Sequence, residues 1–149
     1  MVTSPIGQQA PSLEAVRRNR EELLQTIHVL ERTLAVPAAD PEWGVRFGRR
    51  LAALRDAFAA HVEVTEGAGG LYTEVLDRAP RLAHGVDRLI QDHATLAAAI
   101  DALCQRAHTA DPQFVRRWTS DLLRQLSRHR QQGADLLYEA YETDIGGET

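Results

Sequence analysis

The sequence predicts an all-α protein, a four-helix bundle of up-down-up-down order, and three observations carry that prediction. Ala, Leu, Arg and Glu dominate, whereas aromatic residues make up only 5% of the chain. Straight-chain residues and Ala lose little side-chain freedom in a helix. Apolar residues recur at helical spacing in four long stretches, and the only strand-like alternation is the brief Val62-Glu63-Val64. Short Pro-, Gly- and Asp-rich segments separate those stretches, and short connections favour antiparallel neighbours.

The elements follow in order. Residues 1–11, with Pro5, Gly7 and Pro11 among polar residues, are expected to form a loose arm. Leu13, Val16, Leu23, Ile27, Leu30 and Leu34 share one face of a first helix that stops before Pro37. Asp40-Pro41-Glu42 supplies a cap, a proline for the first helical position and an acid for the first turn. The second helix carries Phe47, Leu51, Leu54 and Phe58 inward and is interrupted by Gly67-Ala68-Gly69-Gly70, after which Leu71 to Asp77 form another turn or two. Pro80 opens a third helix with Leu82, Val86, Leu89, His93, Leu96, Ile100 and Leu103 on one face. Asp111-Pro112 repeats the start signal for a fourth, with Val115, Trp118, Leu122, Leu126, His129, Leu136 and Ala140 inward. The bundle is expected over residues 12–143, followed by a tail, 144–149.

Composition narrows the function. With 149 residues, 44% apolar and 26% charged, the chain has the balance of one globular domain with a real core. A net charge of −4 argues against a nucleic-acid partner, which would want a basic stripe. No run reaches the ~18 apolar residues of a membrane span. Met1 to Pro5 lacks a signal-peptide plan, so the expected compartment is the cytoplasm. All 17 basic residues are Arg, which reads as the codon usage of a GC-rich bacterium. The single Cys104 excludes an internal disulfide or a thiolate metal cage and reads as a small core residue.

The informative positions are histidines that interrupt apolar stripes. His61, His93 and His129 each sit on a different helix. His93 and His129 are about 17 and 19 residues from the turn near Ala110, so at ~1.5 Å per residue their heights nearly match. His61, about 23 residues beyond the turn near Ala38, reaches the same level, whereas His28 falls roughly 20 Å short of it. His84 and His108 lie near helix ends. Buried imidazoles need partners. One reading is a metal ion, since imidazole is the commonest ligand for iron, zinc and copper and bundles present such ligands from facing helices. The other is a hydrogen-bonded polar layer satisfied by Asn19, Glu22, Thr65 or buried water.

Over residues 13–142 the chain resembles the hemerythrin-like, or HHE cation-binding, family. The likeness rests on inward histidines on helices, on His61 followed by an acid within about a turn, on Asp92-His93 where the family has Glu-His, and on His129 in the last helix. The stretches from His61 to Tyr72 and from His129 to Tyr141 are similar to a bacterial subgroup. The resemblance implies non-haem iron, with oxygen or iron binding or sensing as the activity. The family's first-helix histidine falls on Arg20, its two bridging acids on Thr65 and Gly133, and a further histidine of oxygen carriers on Ala97. What remains is His61, His93, His129 and Glu66, with the less well aimed Asp135, a set suited to one ion and not to a bridged pair. Arg20 is expected to face the histidines and to pair with Glu66 or Asp135.

The expected function is therefore iron or other divalent-metal binding, with a small diatomic or peroxide ligand, for sensing or storage. A metal-free interaction module with a structural histidine layer is the alternative from another class, and a metal-dependent peroxide-consuming enzyme is a third. Ser120 and Ser127 offer no triad, and Gly67-Ala-Gly-Gly lacks the residues of a phosphate loop.

Overall fold

The computed structural model describes residues 5–36 and 40–143, with side chains over 14–36 and 40–141. Those residues form α1 (Pro5–Ala35), α2 (Trp43–Glu66), α3 (Leu71–Arg78), a 3-10 turn (Pro80–Leu82), α4 (Ala83–Arg106), α5 (Pro112–Tyr138) and a π-turn (Glu139–Thr143). No strand occurs among them. No helix is long and apolar enough to cross a membrane.

Two boundaries differ from the sequence expectation. The backbone of 5–11 is helical and continuous with α1, so that segment is not a loose arm. Pro5 suits a first turn, where no N–H is needed, and Pro11 removes one ladder bond without ending the helix. Helix α2 starts at Trp43, two residues later than the Asp-Pro signal indicates. Asp40 instead shapes the preceding turn, its carboxylate accepting from Glu42 N at 3.0 Å. The signal works as expected at α5, where Pro112 is the first helical residue and Asp111 accepts from Gln113 N. Residues 1–4 and the expected tail, 144–149, lie outside the described residues.

The four long helices pack as pairs, α1 on α2, α2 on α4 and α4 on α5. Their apolar faces form two clusters. The larger joins Leu23, Ile27 and Leu30 of α1, Phe47, Leu51, Leu54 and Phe58 of α2, Leu96, Ile100 and Leu103 of α4, and Val115, Leu122 and Leu126 of α5. The smaller gathers Val16, Leu71, Tyr72, Val75, Val86, Leu89, Leu136 and Ala140. The larger cluster reaches the histidines through Phe58, and the smaller reaches them through Tyr72.

The turn between α2 and α3 brings Tyr72 to its place. Gly69 has φ 71°, the left-handed region that glycine enters without steric penalty. A side chain at Gly70 would meet the carbonyls of Val64, Thr65 and Gly67 at 2.8–2.9 Å. Tight folding of the chain there ends α2 at Glu66 and returns α3 across the bundle end.

Candidate metal centre

His61, His93 and His129 come together as the spacing predicts. Their ring centroids are 4.7–5.5 Å apart, and one donor nitrogen from each lies within 4.8 Å of the others. His93 and His129 are buried, and His61 is half-buried. Phe58 forms the floor, its ring 5.7 Å from His61, 5.7 Å from His93 and 6.3 Å from His129. Tyr72 stacks on His93 at 5.8 Å with an interplanar angle of 14°. His28, His84 and His108 are exposed and stand outside the cluster.

All three imidazoles turn Nε2 inward. His93 Nε2 lies 3.0 Å from His129 Nε2, which lies 3.4 Å from His61 Nε2. Behind them stand carboxylates. His93 Nδ1 donates to Glu66 Oε2 at 2.5 Å, and His129 Nδ1 makes a longer contact, 3.4 Å, to Asp92 Oδ2. A carboxylate accepts and does not donate, so the 2.5 Å contact to Glu66 selects the Nδ1–H tautomer of His93, whereas Asp92, at 3.4 Å, holds His129 only loosely. His93 Nε2 then presents a lone pair to His129 Nε2 at 3.0 Å, which a metal ion or the N–H of a neutral His129 would satisfy. The Tyr72 hydroxyl, 3.4 Å from His93 Nε2, is too distant to satisfy that nitrogen well.

The donor set fits a metal ion. Metal–nitrogen bonds of about 2.0–2.1 Å at a tetrahedral angle put donor atoms about 3.4 Å apart, against 3.0 and 3.4 Å for the two pairs that include His129, with all three donors within 4.8 Å of one another. Carboxylates on the far nitrogen of ligating imidazoles are the usual outer support of such sites.

Other sequence expectations need correction. Glu66 was expected among the ligands, but its Oε2 holds His93 from behind. Partial burial raises its carboxyl above the ordinary value. Asp135 stands apart, exposed and accepting from Gln131 Nε2 at 3.0 Å. Arg20 lines the space beside His61 as expected, but it is exposed and pairs with neither acid; Asn19 is the buried residue, donating from Nδ2 to Ala57 O at 3.1 Å. Thr65 is buried, but its hydroxyl donates back to His61 O at 2.8 Å, which occupies its proton within the helix. Trp118, expected as core, is partly buried against it.

Asp92 was read in the sequence only as part of a pair with His93. Consecutive helical residues point about 100° apart, so Asp92 serves the histidine of the facing helix. No protein-family model, no curated protein and no solved structure matches the chain.

Desolvation sets the protonation of the cluster. It lowers His61 to about 3 and His93 to about 4, with the neighbouring imidazoles adding to the effect. His129 is also lowered, chiefly by burial, and Asp92 opposes the shift. In the unfolded chain these groups titrate near about 6.5. Between those values the unfolded state binds more protons, so stability rises with pH. The contribution is complete above about 6.5 and is lost as pH falls toward about 4 and then about 3. Metal-free protein should therefore show a lower urea midpoint at pH 5 than at pH 7.5. Equal midpoints would contradict neutral buried imidazoles.

Proposed function

We propose that the protein binds a single divalent transition-metal ion through Nε2 of His61, His93 and His129, within a hemerythrin-like bundle of up-down-up-down order. The single observation that carries this reading is the convergence of three inward Nε2 atoms, 3.0 and 3.4 Å between neighbours, with carboxylates beside the far nitrogens of His93 and His129. A cation among them would be coordinated by all three rings. An imidazolium in its place is disfavoured, because burial drives these rings toward their neutral form.

Three neutral imidazoles suit iron, zinc or copper, and the resemblance to HHE proteins favours iron. The ion would supply a coordination position open to a small ligand. The chain's own residues do the rest. Glu66 fixes the tautomer of His93, and with Asp92 it matches the charge of a dication. Phe58 closes one side against water, and Tyr72 offers a hydroxyl beside His93. The family positions for bridging acids hold Thr65 and Gly133, so a second ion would lack the negative charge to offset repulsion.

Elemental analysis of protein purified without chelators, followed by titration of stripped protein with Fe(II), Zn(II) and Co(II), tests the reading. The expected stoichiometry is one ion per chain, with no oxo-bridged absorption after iron loading. Glu66→Gln should weaken binding by about 10–100-fold, the usual effect of losing an outer-sphere carboxylate. A folded protein that binds no metal would establish the alternative, a structural histidine layer in an interaction module. Two tightly held irons would overturn the single-ion reading.

A further inference from the structure

A cavity of about 240 Å³ opens beside the imidazoles, lined by His61 and His129 together with Arg20, Arg130, Tyr72 and Gly133. Val16, Leu23, Leu71 and Leu136 supply apolar wall. No aspartate or glutamate lines it among the described residues. Neither guanidinium has a carboxylate partner there, and Arg130 Nε is buried with no hydrogen-bond acceptor. Both positive charges act on His61 across this space.

Two unpaired cations and no acid give the wall a charge of about +2. Glu66 and Asp92 lie behind the rings, against Nδ1 of His93 and His129, and outside this lining. A guanidinium presents a planar fork matched to carboxylate geometry. The apolar wall accepts a short carbon chain and gives a fully hydrated inorganic oxyanion nothing to pack against. The volume is below the usual range of about 300–1,000 Å³ for larger ligands.

We infer that this cavity is a binding site for a small organic dicarboxylate held between Arg20 and Arg130. The inference goes beyond the metal reading and does not require it. The arginines supply the recognition whether or not an ion sits on the histidines.

Calorimetric titration of succinate into the full chain, in both metal-free and zinc-titrated samples, tests it. Saturable binding of one succinate per chain is expected in both, with butyrate and inorganic phosphate each at least tenfold weaker. Arg20→Gln and Arg130→Gln should each weaken succinate by about tenfold or more, the loss of one charge-assisted hydrogen bond. A side chain at Gly133 would meet no atom within 4 Å at its Cβ, so Gly133→Leu can fold with its added bulk in the cavity. It should abolish succinate binding and leave metal stoichiometry unchanged. Circular dichroism of each variant separates lost binding from lost structure. Absence of succinate binding, phosphate binding as tight as succinate, or indifference to both arginine variants would overturn the inference. Metal stoichiometry, measured separately, is the result that decides the metal reading.

Discussion

His93→Ala is expected to leave the protein without bound metal after dialysis, whereas His28→Ala retains the full complement. His93 is 2% exposed and central to the cluster, with Nε2 against His129 and Nδ1 on Glu66. Its removal takes away a donor and also leaves Glu66 Oε2 without the ring it orients. The loss should exceed the roughly 10–100-fold that follows removal of an outer-sphere partner. Co(II) absorption reports the change directly, because its intensity depends on coordination number and geometry. Equal metal loss in both variants, or retention of metal by His93→Ala, would defeat the assignment.

The second large effect concerns Phe58. Its side chain is 1% exposed and its ring packs against all three imidazoles. Phe58→Ala is expected to destabilise the fold by about 3–5 kcal/mol, through lost burial and the cavity left behind. For a domain stable by about 5–15 kcal/mol that is a large share. It also removes the surface that sets the positions of His61 and His93, so metal affinity should fall with stability. Urea denaturation of stripped and metal-loaded protein measures both terms. A loss below about 1 kcal/mol would mean that the imidazoles are held by other contacts.

Much of this arrangement was legible in the sequence, and specific residues show where legibility ends. Asp111-Pro112 located the start of α5 because an Asp cap and a proline in the first turn are local chemistry. Helical periodicity put His61, His93 and His129 inward, since one polar residue on an otherwise apolar stripe must follow the stripe. The errors at Arg20 and Glu66 were of one helical position or of one partner. Arg20 was placed inside where Asn19 lies, because a step of one residue rotates a side chain by about 100°. Glu66 closes α2, and its reach depends on the Gly67–Gly70 turn, whose path no periodicity describes. Tyr72 follows the same turn, so its approach to His93 was equally hidden. Asp92 on His129 is a contact between α4 and α5, set by how the two helices face each other.

The separation of the apolar side chains into two clusters gives the molecule two units that need not open together. Native proteins open in contiguous cooperative pieces, and those with fewer buried contacts open first. The smaller cluster, with α3 and the π-turn, can breathe while the larger one keeps the bundle assembled. The imidazoles stand where these units meet, with His93 stacked on Tyr72 of one and edge-on to Phe58 of the other. An ion held by the three rings would therefore slow amide exchange on the α3 side more than in the larger cluster. Occupancy of the site would thus be written into which amides exchange, as a difference in local protection along one chain.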